Sequence, residues 1–590
     1  MLLKPSSRIF FAVQIIATFL TVVLFNACKS SPKKEETIAA TKTDWWKEAV
    51  VYQIYPRSFK DSDGDGVGDL KGIISKLDYV KSLGVDAVWL NPIYTSPNDD
   101  NGYDISNYRE IQKQFGSMAD FDLMLKEMHK RNIKLIMDLV VNHSSDEHEW
   151  FKQARSSRTN PYRNYYHWWP AEKGKPPYRW SFFDVNSDAW MFDSLTNSYY
   201  LHYFSRKQPD LNWENPKLRN EVYDVMKYWA DKGIDGFRMD AFQFASKDTT
   251  WPELPKGYEK NVIKYYGIGP HLHEYIQEMN KEVMSKYNIM TVAEGAGSSP
   301  QEALDFVDPA RKELNIAYHF EGVDVGKNIA EFGLVKYKEI YSRYDSAFAD
   351  KGWLSIFLAN HDQPRMVTKF GSDDPQFREA SSKMLSTFIL TMRGTAFYYN
   401  GDELGMDNIR FNTMNDYNDV GTKNKFVEIK NKGGDTTAYI ELQKLTSRDN
   451  GRTPFQWDSS TNAGFTTTVP WLKINADYKT INAAAEEKDI NSPLNYFKKL
   501  IQLRKNNKEL FVYGKYSLVD KPNPTVFAYT RTATNEKVLV LLNFSKTSSS
   551  IAIPKGYSLG DEMINNLQPL KLNGENILLQ PYQACIIKLK

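Results

Sequence analysis

Gly236-Phe237-Arg238-Met239-Asp240 decides the fold: it is a short apolar run, 235–240, that breaks into Arg and Asp at its C-terminal end. Three other runs end in the same way. Run 133–141 gives way to Asn142-His143 after Asp138, run 289–294 ends Thr291-Val292-Ala293-Glu294, and run 354–359 is followed by Asn360-His361-Asp362. Similar runs occupy 49–55 and 85–90, with less regular ones at 315–320 and 396–399. Helical patterns such as 118–131 and 217–232 lie between them, and 72–83 carries apolar residues at helical spacing. Strands alternating with helices predict parallel strands under crossover helices. Eight strand candidates in this order predict an α/β fold of the (β/α)8 TIM-barrel kind rather than an open sheet.

Two regions leave this alternation. Residues 144–215, rich in Trp, Tyr, Pro and Asn, are too long for a simple loop and predict an inserted subdomain after strand three. After a helical stretch at 494–507 only short strands remain, at 526–530, 537–543, 549–553, 577–579 and 584–588. They predict a small C-terminal antiparallel β-sandwich. The expected organisation is therefore barrel over 44–143, inserted subdomain over 144–215, barrel again over 216–510, and sandwich over 511–590.

Composition narrows the function classes. Hydrophobic residues are 41% and charged residues 25% of 590, an ordinary globular balance that excludes a disordered or multi-span membrane chain. A formal net charge of +2 gives no electrostatic reason to bind nucleic acid. Two cysteines exclude a disulfide-built fold. There is no phosphate loop, dinucleotide fingerprint, zinc-type Cys cluster or HExxH. The aromatic content, 14%, suits sugar binding because flat rings match the C–H faces of pyranoses.

The first residues read as an address. Lys4 and Arg8, which account for the surplus of cations, precede an uncharged stretch that ends Leu24-Phe25-Asn26-Ala27-Cys28. A basic start, an apolar middle and a small residue describe a secretory signal over 1–27. Cys28 directly after the small residue resembles a bacterial lipobox, which implies lipidation at Cys28 and anchoring in the bacterial envelope, periplasmic or outer membrane. Residues 28–43, with no apolar periodicity, read as a flexible tether.

In a barrel the chemistry sits at the C-terminal strand ends. Three acids there, with Arg and two His, point to carboxylate chemistry. Glycoside hydrolysis needs one carboxylate and one carboxylic acid across the scissile bond, with different pKa values. Arg238 lies two residues before Asp240, on the same strand face, and should keep it ionised as a nucleophile. Glu294 closes an apolar strand, where burial should raise its pKa and suit a general acid.

These four strand ends, in this order, resemble glycoside hydrolase family 13, the α-amylase family, over nearly the whole chain from Trp45. Gln208-Pro209-Asp210-Leu211-Asn212 resembles the signature of its oligo-1,6-glucosidase subfamily. Trp45-Trp46-Lys47, Gly102-Tyr103-Asp104-Ile105, His361-Asp362-Gln363-Pro364-Arg365 and the 448–454 stretch Arg-Asp-Asn-Gly-Arg-Thr-Pro are similar to it too. The resemblance implies a retaining mechanism with Asp240 as nucleophile, Glu294 as acid/base and Asp362 as the third acid. It implies that Tyr103 stacks on the terminal glucose, that Asp104, His143, Arg238 and His361 hold its hydroxyls, and that Arg452 lies near the pocket. It also implies that some of Tyr165, Tyr166, Trp168, Trp169 and Trp180 wall the site. The third motif departs from the subfamily, which usually has Gly before and Met after the Glu; here they are Ala293 and Gly295. Ala241 after the nucleophile is small, as in members acting on α-1,4 links.

The implied activity is a retaining, exo-acting α-glucosidase releasing glucose from short α-glucans, with an α-1,4 preference. The alternatives are an oligo-1,6-glucosidase, or a transglucosidase, sucrose isomerase or trehalose synthase of the same fold. A catalytically dead sugar-binding relative would usually lack a carboxylate, and all three are present. The expected partner is a small oligosaccharide, with no nucleic acid, membrane contact only through the lipid, and a monomer favoured. Finally, Asp61, Asp63, Asp65, Val67 through its carbonyl, and Asp69 follow strand one at EF-hand-type spacing, which predicts a structural calcium ion. Position 12 of that loop is Gly72, so it is not a helix–loop–helix sensor.

Overall fold

The computed structural model describes residues 44–567 and 569–590. The expected signal 1–27, Cys28 and the tether 28–43 lie outside the described residues.

Eight parallel strands form one sheet: β1 (Val50–Ile54), β2 (Ala87–Leu90), β3 (Lys134–Val140), β4 (Gly236–Asp240), β5 (Met290–Glu294), β6 (Ile316–Tyr318), β7 (Ser355–Ile356) and β8 (Thr395–Tyr399). Their spatial order is β6-β5-β4-β3-β2-β1-β8-β7. A parallel bridge between Ala317 and Leu354 joins β6 to β7 and closes the barrel. The strands are buried almost throughout, which is why they read as near-continuous apolar runs rather than alternating ones.

Helices cover the outside where the sequence supplies start signals. Ser117 and Asp120 form a reciprocal capping box on helix Met118–Lys130. Asn215 caps helix Pro216–Asp231, whose first residue is a proline with no N–H to leave unpaired. The helical stretch expected at 72–83 is two helices, Leu70–Ser75 and Leu77–Leu83, meeting at Lys76. Gly72 is required there because a Cβ would collide with the carbonyl of Lys60.

Between β3 and β4 a small antiparallel sheet pairs Ser198–Leu201 with Trp168–Pro170 on one side and Trp190–Asp193 on the other. The chain then returns to the barrel mouth through a bridge from Asp210 to His143 and a bond from Leu211 N to the Asn142 carbonyl, 2.9 Å. After β8 a mostly irregular excursion with helices Val420–Asn431 and Thr436–Thr446 returns to the same mouth through Arg448 to Arg452.

The C-terminal strands are β9 (Lys515–Val519), β10 (Val526–Thr532), β11 (Lys537–Asn543), β12 (Ser549–Ala552), β13 (Leu559–Asn565), β14 (Lys571–Asn573), β15 (Asn576–Leu579) and β16 (Ala584–Leu589). They make an antiparallel sheet in the order β9-β10-β11-β16-β13 and a second, β12-β15-β14. Val526, Leu539, Leu541, Ile577, Leu579 and Cys585 belong to the core between them. Cys585 is fully buried, an apolar filler. The opposite face of β10 and β11, with Phe527, Tyr529, Val538 and Val540, joins the main core.

Candidate active site

The site is built at the C-terminal ends of the barrel strands. On β4, Arg238 and Asp240 alternate with Phe237 and Met239, so both polar side chains share one face. Parallel pairing sets Arg238 beside Asp138 of β3 and places Glu294 of β5 beside Tyr318 of β6. The Arg238 guanidinium is the hub. One amino nitrogen contacts Asp138, 3.1 Å, and Asp240; the other contacts Glu294. Glu294 also accepts the backbone N–H of Ala241 at 2.7 Å. Ala241 reaches it by taking a left-handed backbone, φ +46°, immediately after the strand.

Asp362, after β7, accepts Arg448 and Arg452, each at 3.0 Å, and lies 3.1 Å from His361 Nε2. His361 stacks nearly parallel on Tyr103, ring centres 5.1 Å apart. Tyr103 donates to Asp138 at 2.8 Å. Arg448 reaches across to Asp100 at 3.2 Å and also pairs with Asp419.

These groups surround a cavity of about 370 Å3. Asp240, Glu294 and Asp362 face it together with Asp100, Tyr103, His143, His361 and Arg448. Its apolar wall is Phe182, Phe183, Phe204 and Phe244. Ala241, Gln243, Ile263, Phe320, Asp324 and Gln363 complete the lining.

Burial and crowding set the electrostatics. Burial pushes Glu294 up to about 8; Arg238 opposes this, while Asp240 and Asp362 add to it. Burial likewise raises Asp240 to about 7 against the pull of Arg238, with Asp138 and Asp362 adding to the rise. Arg238 pulls Asp240 toward the ionised form, but one guanidinium is shared among three carboxyls. Asp362 behaves oppositely. Burial would raise it, but His361, Arg448 and Arg452 hold it well below the usual carboxylate range. Burial also drives His143 down to about 3, so its ring is neutral.

Three expectations are corrected. Asp104 does not face the cavity: it is fully buried and accepts Ser96 Oγ and the backbone N–H groups of Asp99 and Asp100, at 2.9–3.1 Å. It shapes the loop that presents Asp100, which takes the place expected of Asp104. Arg452 does lie near the pocket: 1% exposed, it contacts Asp362 at 3.0 Å and the His361 carbonyl at 2.7 Å without lining the cavity, while Arg448 four residues earlier faces it. Arg238 lies beneath the acids in a similar way. The aromatic wall is phenylalanine, not Tyr165, Tyr166, Trp168, Trp169 or Trp180, which pack within the subdomain around Phe151, Trp150, Tyr200 and Phe182. The signal for Asp100 was present in the run Asn98-Asp99-Asp100-Asn101, and for Arg448 in the quoted 448–454 stretch. Spacing alone does not say which of two like residues turns inward.

Away from the cavity, the carboxylates of Asp61, Asp63 and Asp65 converge within 4.8 Å. Each accepts backbone N–H groups further along the loop: Asp61 those of Asp63, Gly64 and Gly66, Asp63 that of Asp65, and Asp65 that of Val67. Such an all-oxygen set suits a hard cation. Asp69 stands outside this triad: its carboxylate accepts Ser62 N, Ser62 Oγ and Gly72 N, all at 2.7 Å, and caps helix Leu70–Ser75.

Comparison with known proteins agrees with this geometry. Residues 53–514 match the α-amylase catalytic domain and 526–586 the α-amylase SusG C-terminal domain. An oligo-1,6-glucosidase of Parageobacillus thermoglucosidasius is 50% identical over 562 residues, 92% of this chain and 99% of that protein. A trehalose-6-phosphate hydrolase of Bacillus subtilis (strain 168) is 43% identical, covering 93% and 99%. The solved structure of isomaltulose synthase from Klebsiella sp. LX3 superposes with a TM-score of 0.89 at 45% identity, covering 92% and 99%. With a closed barrel, carboxylates at its strand ends and this breadth of identity, the chain is an enzyme that belongs to glycoside hydrolase family 13, the α-amylase family.

Proposed function

We propose that the protein is a retaining, exo-acting α-glucosidase that releases glucose from the non-reducing end of short α-glucans. The observation that carries this reading is the single Arg238 guanidinium in contact with both Asp240 and Glu294. One planar group touching two acids keeps them close, which favours the narrow spacing of retaining enzymes over the wider gap that leaves room for a water. Glu294 protonates the glycosidic oxygen while Asp240 attacks the anomeric carbon, and the leaving sugar departs. Glu294, now ionised, takes a proton from water, which displaces Asp240 and restores both groups. Arg238 steadies Asp240 as its charge is consumed and restored. Asp362, held ionised by its arginines, accepts hydroxyls of the bound glucose, which the Asp100–Arg448 pair closes in on one side. That closed side supports exo action.

Linkage has two supported readings. The methyl of Ala241 in the lining leaves room beside the leaving sugar and supports α-1,4 bonds. The relative named oligo-1,6-glucosidase at 50% identity supports α-1,6 bonds. Purified protein beginning after Cys28, offered maltose, isomaltose, trehalose and sucrose, tests both. Release of α-glucose is expected, with maltose faster than isomaltose. A β-anomer as first product refutes retention, an isomerised disaccharide from sucrose supports the transferring alternatives, and a faster rate on isomaltose reverses the linkage preference.

A calcium ion held by the Asp61, Asp63 and Asp65 triad would stabilise the loop after β1 without entering the chemistry. The lipobox-like sequence at Cys28 supports envelope anchoring. Cys28→Ala should move the protein from the membrane fraction to the soluble one, and an unchanged distribution refutes the anchor.

A further inference from the structure

Trp471 belongs to the excursion after β8 and touches two separate supports of the active-site cavity from behind. Its backbone N–H donates to the Gly66 carbonyl at 2.9 Å, in the acidic loop after β1. Gly66 permits that approach: it holds φ +92°, and a Cβ there would collide with the Val469 carbonyl. The first support runs through the indole. Trp471 Nε1 donates to Ser58 Oγ at 3.1 Å, and Ser58 Oγ donates to the Arg452 carbonyl at 2.5 Å. Ser58 is fully buried, and Arg452 in turn holds Asp362 at 3.0 Å and the His361 carbonyl at 2.7 Å. Tyr55 lies between, its ring centre 6.3 Å from that of Trp471 and 6.2 Å from that of His361. The second support runs through Arg57, which is buried and makes no ion pair among the described residues. Its guanidinium lies 5.3 Å from the Trp471 ring centre and 5.6 Å from that of Phe115. Aromatic faces attract such a cation and fix its position. Arg57 Nη2 then donates to Asn98 Oδ1 at 2.6 Å, two residues before Asp100.

We propose that Trp471 is a positioning residue for sugar binding: through Ser58 and Arg452 it sets Asp362, and through Arg57 and Asn98 it sets Asp100. The inference rests on the glucosidase reading, in which Asp362 accepts the glucose hydroxyls and Asp100 closes one side of their pocket. A hydroxyl that accepts one hydrogen bond and donates the next strengthens both and ties their ends together. A misplacement of about 1 Å in a positioning group can cost about a hundredfold, so a support behind the site reaches the ligand.

Two substitutions break the first support at different points. Trp471→Phe keeps a ring beside Arg57 and removes only the N–H, and Ser58→Ala removes the relay hydroxyl. Each should raise KM on maltose and weaken glucose binding, read by calorimetry, about tenfold, with kcat within about twofold of native. The double variant should be no worse than either single one, because both break the same relay. Losses that multiply, an unchanged KM in both variants, or a lower kcat with native glucose affinity overturn the proposal. Trp471→Ala also releases Arg57 and should weaken glucose binding beyond Trp471→Phe; equal losses overturn the second support. If the native enzyme neither cleaves α-glucosides nor binds glucose, it is the glucosidase reading that fails. Crystal structures, which need no ligand, then decide the positioning role. Arg452 and Asp362 displaced in Trp471→Phe support it, and both in their native places overturn it.

Discussion

Asp100 and Asp104 are four residues apart and have opposite environments, so they separate binding from scaffolding. Asp100 faces the cavity and pairs with Arg448, whereas Asp104 accepts hydrogen bonds from its own loop. Asp100→Asn should therefore lower kcat/KM about ten- to hundredfold, as expected for loss of a charged hydrogen bond. Asp104→Asn should lower the melting temperature while kcat changes little. Steady-state kinetics and thermal melts on the two variants check this pair of outcomes. In the proposed mechanism the pH profile follows from Asp240 and Glu294 in the free enzyme. Asp240 works ionised and its pKa is raised to about 7, so activity should fall below that pH. Glu294 works protonated with a pKa raised to about 8, so activity should fall above it. A bell in kcat/KM centred near neutral to mildly alkaline pH is expected, and Glu294→Gln should remove the alkaline limb along with about 10²–10⁴-fold of kcat.

At the scale of elements, the loop after β1 is where a short sequence acts. The triad of Asp61, Asp63 and Asp65 predicts a melting temperature that falls on adding EDTA and recovers with calcium, followed by circular dichroism. Asp61→Asn should reduce that response, since Asp61 is the buried member and organises the loop through Gly64 and Gly66. No chelator response, with no calcium in a metal assay, removes calcium from the account. The C-terminal strands show the reverse case. β9, β13 and β14 escaped a reading by apolar pattern because they lie at sheet edges and present mixed or exposed residues; all three residues of β14 are exposed. Their register comes from neighbours already in place, not from their own hydrophobic period.

At the scale of the molecule, a buried cation of the barrel reaches into the sandwich. Lys338, on the barrel helix Leu334–Ala347, is fully buried and its Nζ donates to the carbonyls of Asp520, Asn523 and Val526 at 2.7–3.2 Å. Lys338→Ala leaves those carbonyls without this donor and should cost about 1–3 kcal/mol, read as a lower midpoint in denaturant. With the active site left untouched, kcat in buffer should stay the same. The opposite face of β10 and β11 belongs to the main core, so the sandwich is a packed part of the enzyme body.

The sequence by itself determined the barrel, because parallel strands must be buried on both faces and therefore announce themselves as apolar runs. It also determined which strand ends carry Asp240, Glu294 and Asp362, since a carboxylate that closes such a run has few places to go. Only the tertiary structure decided which neighbours meet those acids. Asp100 rather than Asp104, Arg448 in front of Arg452, and phenylalanines in place of Trp and Tyr were settled by loop paths that bring residues 348 positions apart into contact, as Asp100 and Arg448 show. The surroundings of Asp240 were decided there too: adjacency in sequence pairs it with one arginine, but folding makes that arginine serve Asp138 and Glu294 as well, in a buried site.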